Sequence, residues 1–205
     1  MHPKTKITVS LALGIAWAGA TVFGAHALLK YENTAGKVSN VTSNWPSNSS
    51  IQLAPDRPTL VMFAHPQCPC TRASVNELAS IVAHTQAKAR VFVLFYTPQS
   101  APADWATTPL HRAVEQINGV TILPDADGIE AQRFGAETSG HAFLFDRDGR
   151  LLFNGGITAS RGHAGENVGE DSIVSMINQH SASQTRTLVF GCPFHRQKPT
   201  SACLK

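Results

Sequence analysis

Apolar and polar positions along residues 58–180 change between two spacings, and this pattern predicts strands and helices in turn. Residues 59–64 (TLVMFA) and 90–97 (RVFVLFYT) are short, nearly uninterrupted apolar runs. Such runs are typical of strands buried on both faces of a parallel sheet. From Thr71 onward the apolar residues recur at helical spacing, and Cys70 or Thr71 itself is a suitable N-cap for the helix.

The pattern then predicts three more helices and three more strands. The last two strands flank a short turn, Asp146 to Gly149, which implies an antiparallel hairpin. The three predicted helices cover residues 109–117, the stretch that follows residues 125–128 and ends at Phe134, and residues 171–180. The three predicted strands cover residues 119–123 and two parts of 141–156. The resulting order predicts an α/β fold with a central mixed sheet flanked by helices.

The amino terminus has no such alternation. Residues 7–29 are uncharged and long enough to cross the hydrocarbon core of a membrane. We therefore assign residues 1–30 to a membrane anchor. The small residues at 25–27 (AHA) resemble a cleavage site, so a removable signal segment is the alternative.

Lys4 and Lys6 precede the apolar run, and the positive-inside rule places them in the cytoplasm. Both assignments export the rest of the chain. The sequence therefore predicts a single-pass protein of the inner (cytoplasmic) membrane, attached through residues 7–29, with its domain on the periplasmic or other extracytoplasmic side.

The exported part divides into three by composition. Residues 31–57 are rich in Asn, Ser, Thr and Pro, which predicts a flexible tether, although Trp45 within it has a large apolar surface. Residues 58–190 carry the predicted elements and form the domain. Residues 191–205 are a tail that contains Cys192 and Cys203.

Composition excludes some classes of protein. The chain has 205 residues and a formal net charge of +3, with scattered Lys and Arg, so no nucleic-acid partner is expected. Four cysteines are too few and too unevenly spaced for a disulfide-dense scaffold.

Two of these cysteines, Cys68 and Cys70, lie between the first strand and its helix, with Pro69 between them. The unpaired amides of a helix N-terminus favour thiolate, so at least one of the two is expected to have a lowered pKa. In an extended chain the two Cα atoms would lie roughly 6.6 Å apart, near the upper limit for a disulfide. A bond between them needs a contracted turn, and a strained disulfide is typically labile or catalytic.

Other residues near these cysteines have candidate roles. His65 ends the first strand and is a candidate acid/base partner that lowers the thiolate pKa when protonated; a structural histidine is the alternative. Arg161 and His163 lie in a glycine-flanked loop that can reach an active site, and His141 faces either the groove or the core. Cys192 is a candidate redox or metal-binding thiol, or half of a staple with Cys203.

Several motifs together resemble the thioredoxin superfamily, in its exported, membrane-tethered oxidoreductase and peroxiredoxin-like branch. The chain resembles the RedB-like proteins of this branch in residues 65–74 (HPQCPCTRAS), 138–165 and 190–193 (FGCP). The resemblance implies a thioredoxin-like fold over residues 55–195. It also implies that Cys68 is the exposed, attacking cysteine.

The chain departs from that family at two positions. Thioredoxin-like proteins usually place a cis-proline before the hairpin, facing the cysteines, whereas Ser139, Gly140 and His141 stand here. A cis bond without proline costs about 2.5–4 kcal/mol, so a trans backbone and an altered substrate groove are expected. Peroxiredoxins carry a Thr three residues before the attacking cysteine, where this chain has His65, which weakens the case for peroxidase activity.

The function expected is that of a thiol–disulfide oxidoreductase, in which Cys68 attacks and Cys70 resolves the mixed disulfide. Its partners would be a protein or small-molecule disulfide or thiol and an unidentified redox partner, with no cofactor. The alternative is a copper(I) or other soft-metal carrier that uses Cys68, Cys70 and a histidine such as His163, although copper-delivery relatives have a wider cysteine spacing. A scaffold without redox activity is the third alternative.

Overall fold

The computed structural model describes residues 3–39, 41–179, 181 and 184–194, and of residues 3–9 it gives the backbone alone. The chain divides into two compact units, Met1–Thr34 and Ala35–Lys205.

The first unit is one helix, α1 (Pro3–Glu32). Within it, Ser10–Glu32 is apolar enough to cross a membrane, with a mean hydropathy of 1.5, and it is the one such helix among the described residues. Its length and composition fit a membrane anchor and a signal peptide equally well.

The second unit confirms the predicted order of strands and helices. In chain order the elements are β1 (Thr59–Ala64), α2 (Thr71–Thr85), β2 (Arg90–Thr97), α3 (Pro109–Glu115), β3 (Val120–Ala126), α4 (Ile129–Phe134), β4 (His141–Phe145), β5 (Leu151–Gly156) and α5 (Val168–Gln179). The bounds of β1 and β2 and the start of α2 are those that the apolar pattern predicts.

The five strands form one mixed sheet in the order β3-β2-β1-β4-β5. β1 is parallel to β2 and antiparallel to β4, and all six of its residues are buried. Its alternate side chains enter two apolar clusters, one with α2 and α5 and the other with α4. The segment that follows β1 therefore starts from the centre of the sheet.

Helix starts depend on side chains that the apolar pattern does not show. α5 begins at Val168 rather than near Asp171, because the Asn167 side chain accepts the backbone N–H of Glu170 at 2.9 Å. β3 continues to Ala126, and the Asp125 carboxylate then accepts two backbone N–H groups at the start of α4.

Residues 31–57 were predicted to form a flexible tether, but the described residues from Ala35 onward belong to the second compact unit, and several of those in 41–57 make specific contacts with the domain. Ile51 is buried, and the Trp45 ring makes edge-to-face contacts with Phe134 and Phe145, each at 5.1 Å between centroids. The polar residues that suggested a tether make specific hydrogen bonds instead. Ser49 and Ser50, for example, donate to the carboxylate of Glu130.

Candidate active site at the carboxyl end of β1

The chain leaves β1 through a contracted turn that carries the two close cysteines. The Cys68 carbonyl accepts the Thr71 backbone N–H at 3.3 Å, which closes a four-residue turn with Pro69 in its second position, where proline is favoured. Cys70 lies at the N-cap of α2 in a helical conformation, with no side-chain hydrogen bond to the helix. The turn is therefore the contracted one that a close thiol pair requires.

A third thiol completes the cluster. Cys192 belongs to residues 189–194, and its sulfur lies with those of Cys68 and Cys70 in a group whose members are all within 4.8 Å of one another. The sequence predicted Cys192 as a candidate redox or metal-binding thiol, or as half of a staple with Cys203. Cys203, its candidate staple partner, lies outside the described residues.

The 189–194 segment is held against the residues before β4. The Ser139 N–H donates to the Cys192 carbonyl at 2.9 Å, and the Phe194 N–H donates to the Glu137 carbonyl at 3.1 Å. Gly191 is required at the crossing, because a methyl group there would overlap the Ser139 carbonyl oxygen. Backbone contacts therefore fix Cys192 beside the turn.

Cys68 is buried, with 3% of its surface exposed, which corrects the expectation that it is the exposed cysteine. Its pKa is nevertheless lowered to about 4, mainly because the Cys192 thiol donates a hydrogen bond to its sulfur. The Thr71 hydroxyl and the backbone N–H groups of Cys192 and Thr71 also donate, and together they outweigh the opposing effect of burial. Cys68 is thus a buried thiolate at neutral pH.

The other two thiols stay protonated. Burial, and then the negative charge of Cys68, raise the pKa of Cys70. The pKa of Cys192 is raised because its proton is held in the hydrogen bond to Cys68. Arg161 lies close to both thiols and opposes these shifts. The cluster at neutral pH therefore contains one thiolate and two thiols.

Two buried hydroxyls, absent from the sequence predictions, extend the hydrogen bonds from Cys68. The His65 backbone N–H donates to Ser139 Oγ at 2.7 Å, and Ser139 Oγ lies 2.6 Å from Thr71 Oγ1. Because the Thr71 hydroxyl donates to Cys68, the Ser139 hydroxyl donates to Thr71. This chain of donors all points toward the thiolate.

His65 contributes its backbone rather than a charged ring. Its ring stacks on Tyr96 at 5.6 Å, and its Nδ1 accepts the Gln67 backbone N–H at 3.2 Å. Burial lowers the pKa of His65, with an opposing effect from Cys68. A neutral ring whose Nδ1 accepts a hydrogen bond carries its proton on Nε2, so the predicted imidazolium beside the thiolate does not form at neutral pH.

Arg161 lies at the cluster, and His163 is not part of it. The Arg161 guanidinium hydrogen-bonds the Cys70 thiol and the Gly191 carbonyl. The exposed His163 has its Nδ1 at 3.1 Å from the Arg161 carbonyl. Of the set predicted for a soft metal, Cys68 and Cys70 lie together, and the third sulfur beside them is that of Cys192, whereas His163 is not in the group.

Cys68 reaches a cavity of about 360 Å³ on the side of α3. The cavity is lined by Pro66, Gln67, Cys68, Pro69, Arg72, Thr108, Pro109 and Leu110. None of these residues belongs to the 189–194 segment. A small ligand therefore has space beside Cys68 that Cys192 does not fill.

No family model matches the sequence, and no curated protein does. Among solved structures, an uncharacterized conserved protein from Geobacillus kaustophilus is similar at 17% sequence identity, with a TM-score of 0.57 over 82% of this chain and 94% of that chain. A hypothetical protein from Sinorhizobium meliloti is similar at 19% identity, with a TM-score of 0.54 over 78% and 93% of the two chains.

The strand order β3-β2-β1-β4-β5, with a cysteine turn and a helix after the central strand, decides the fold. This chain has a thioredoxin-like fold. At the sequence identities found, the similarity extends to the fold alone, and function has to be argued from the site.

The thioredoxin-like fold departs from its usual form directly before β4. The described residues contain no cis peptide bond, so Gly140 and His141 follow a trans backbone, as predicted. Gly140 has a φ of +89°, a conformation that favours glycine, and its N–H donates to the Phe63 carbonyl at 2.7 Å. This geometry directs the chain into the core.

His141 is consequently a core residue, which excludes the predicted alternative that it faces the groove. It is completely buried, and its ring lies 4.1 Å from the Phe143 ring. Neither ring nitrogen has a hydrogen-bond partner among the described residues. Burial lowers the pKa of His141 to about 3, so the ring is neutral.

Proposed function

We propose that this protein is a membrane-tethered, exported thiol–disulfide oxidoreductase whose nucleophile is Cys68. The observation that carries the proposal is the cluster at the carboxyl end of the central strand, where the sulfurs of Cys70 and Cys192 lie within 4.8 Å of the Cys68 sulfur and the pKa of Cys68 is lowered to about 4. A thiolate is the species that attacks a disulfide, and this one forms at the end of the central strand of a thioredoxin-like sheet. The motifs at residues 65–74 and 190–193 support its place among the RedB-like proteins.

The reaction begins when the Cys68 thiolate attacks one sulfur of a substrate disulfide. The substrate S–S bond breaks, its second sulfur leaves as a thiolate, and Cys68 is left in a mixed disulfide. A second thiol of the cluster then displaces the substrate sulfur, which leaves a protein disulfide and a fully reduced substrate. A peroxide would instead oxidise Cys68 to a sulfenic acid, which the same second thiol resolves to a disulfide and water.

The donors also favour one direction of electron flow. They stabilise the thiolate, which exists only in the reduced protein, and a stabilised reduced form makes a dithiol pair more oxidising. We therefore propose that the domain passes its disulfide to reduced partners. The sequence left this direction open.

Reaction with oxidised glutathione tests this function. The full-length, detergent-solubilised and reduced chain should form a transient mixed disulfide at Cys68 and release two equivalents of glutathione for each chain, the first when Cys68 attacks and the second when the mixed disulfide is resolved. The Cys68→Ser variant should release none. If both proteins release glutathione at the same rate, Cys68 is not the nucleophile.

A second candidate function is binding of copper(I), because the three sulfurs lie close enough to ligate one ion. Thiolates prefer copper(I) and zinc, and Arg161 would offset part of the charge of three thiolates. Titration of the reduced chain with copper(I) against a competing chelator should show one equivalent bound. Cys192→Ala should abolish that binding, whereas His163→Ala, the matched control, should leave it unchanged; equal affinity of all three proteins would overturn this function.

We also propose that α1 is retained as the membrane anchor. Its apolar residues at 7–29 span a bilayer, and basic residues precede them. Alkaline extraction of membranes should leave the chain in the pellet with residues 1–30 intact. Release of a chain that begins after residue 27 would show a cleaved signal peptide instead.

A further inference from the structure

Beside the cysteine turn, the backbone edge of residues 137–139 is covered by residues 192–194 of the same chain. Residues 192–194 run antiparallel to residues 137–139, with Thr138 bridged to Pro193 and one backbone hydrogen bond on each side of that bridge. This is the arrangement in which an extended peptide adds to an exposed backbone edge. An internal segment therefore occupies the place beside Cys68 where such a peptide would pair.

That segment brings its own cysteine to the nucleophile. The Cys192 sulfur lies within 4.8 Å of the Cys68 sulfur. A thiol in this position needs only to lose its proton to attack a disulfide formed at Cys68. Its backbone is already fixed by Ser139 and by the close crossing at Gly191.

Cys70 is less well placed to close a bond with Cys68. The two are separated by Pro69 alone, inside a hydrogen-bonded turn that leads into α2, and a disulfide there must fit a narrow range of geometry. The hydrogen bonds of the Cys70 thiol involve Arg161 and Cys192. Cys192 comes from a separate segment and has no such short covalent connection to Cys68.

We propose that Cys192 is the resolving cysteine and that the disulfide of the oxidised protein joins Cys68 to Cys192. This assignment rests on the proposed oxidoreductase function. The substrate disulfide enters from the α3 side, where the cavity lies, and Cys192 attacks from its own segment. The substrate and Cys192 therefore approach Cys68 from different sides, and neither displaces the other. A cavity of about 360 Å³ is large enough for a small disulfide.

The protons and electrons of the cycle balance within the cluster. The Cys68 thiolate attacks substrate RSSR′, the S–S bond breaks, and R′S⁻ leaves. With Cys68 no longer anionic, the Cys192 proton passes to R′S⁻, and the Cys192 thiolate attacks Cys68 and displaces RS⁻. The substrate gains two electrons and becomes RS⁻ and R′SH, while the two cysteines are oxidised to one disulfide.

The test uses full-length chains in detergent, all carrying Cys203→Ser so that only the three clustered cysteines remain. Each reduced chain receives a pulse of oxidised glutathione, is acid-quenched and alkylated, and is mapped by mass spectrometry. The parent should show a Cys68–Cys192 bridge and only transient glutathione on Cys68. Cys192→Ser should keep glutathione on Cys68 at least about tenfold longer, since an adjacent thiol acts at high effective concentration.

Cys70→Ser is the matched control, because it removes the other neighbouring thiol. This variant should still form the Cys68–Cys192 bridge and release the bound glutathione within about threefold of the parent rate. A Cys68–Cys70 bridge in the parent, with prompt release from Cys192→Ser, would overturn the assignment while leaving the oxidoreductase function intact. If Cys68 takes up no glutathione in any variant, the oxidoreductase function itself fails and this assignment fails with it.

Discussion

Cys68 and His141 are both buried close to the end of β1, but Cys68 is charged at neutral pH and His141 is not. Cys68 is 3% exposed and carries a charge, because four hydrogen-bond donors meet at its sulfur. His141 is fully buried and stays neutral, because neither ring nitrogen has a partner among the described residues. Burial raises the free energy of the charged form in both cases, so the donors decide which group is ionised.

This difference explains why reactivity is confined to one point. Ser139, directly before Gly140, directs its hydroxyl toward Thr71 and thereby toward the thiolate. His141, two residues later, enters the sheet opposite Phe63. The loop before β4 therefore separates a donor-rich pocket from an apolar core within three residues.

Removing the Cys192 thiol should produce the largest change. Cys192→Ala deletes the main donor to Cys68, and a hydrogen bond to a charged group contributes about 1.5–3 kcal/mol. We expect the pKa of Cys68 to rise by about two units, measured from thiolate absorbance against pH. Cys70→Ala, the control without a donor role, should shift it far less; equal shifts in the two variants would contradict the role assigned to Cys192.

His141 should make the domain less stable in acid. The pKa of His141 is about 3 in the folded chain, below its ordinary value of 6.5, so the unfolded state binds the proton first. The free energy of unfolding is therefore unaffected by His141 above pH 6.5, and it falls as the pH drops from 6.5 toward 3. At pH 5 the loss should be about 2 kcal/mol.

His141→Phe should remove that slope, because phenylalanine does not titrate. Denaturant unfolding at pH 7 and pH 5 measures the effect in both proteins. An identical loss of stability in the variant would show that other groups cause it.

Pushing the Cys192 segment away from Ser139 should change the Cys68 pKa indirectly, through the position of the Cys192 thiol. In Gly191→Ala the added methyl group overlaps the Ser139 carbonyl oxygen, and such overpacking costs about 1–3 kcal/mol. We expect a lower free energy of unfolding together with a higher Cys68 pKa, from chemical denaturation and thiolate absorbance on the same samples. A loss of stability with an unchanged Cys68 pKa would mean that the segment does not hold the donors in place.

Thr71→Val should have the smallest effect, because it removes one of four donors. The expected rise in the Cys68 pKa is about one unit. Thr71→Ser keeps the hydroxyl and is the matched control, which should titrate like the parent. If valine and serine give the same pKa, the hydroxyl does not contribute.

The apolar pattern predicts the strands and helices well because it reports which faces are buried. β1 and β2 have the predicted bounds, and the turn after β1 is contracted as the thiol spacing requires. The contacts of residues 41–57 with the domain were not predicted, because polar composition says nothing about specific hydrogen bonds such as the one from Ser49 to Glu130.

The site was predicted only in part, because its decisive contacts join distant parts of the chain. No local pattern shows that Cys192 reaches Cys68 or that Ser139 reaches Thr71. Two signals were nevertheless present. Gly191 stands next to Cys192, as a close crossing requires, and Ser139 belongs to the short stretch before the hairpin in which thioredoxin-like proteins usually carry a proline. His141 remained ambiguous because an isolated histidine at a strand start suits both a groove and a core.

The most direct test is the thiolate absorbance of the reduced full-length chain between pH 3 and pH 10, from which the absorbance of Cys68→Ser is subtracted. We expect one thiolate that titrates with a pKa of about 4 and is fully formed at neutral pH. A difference spectrum that appears only at the pH of an ordinary thiol, about 8.5, would contradict the claim that donors hold a buried thiolate at Cys68.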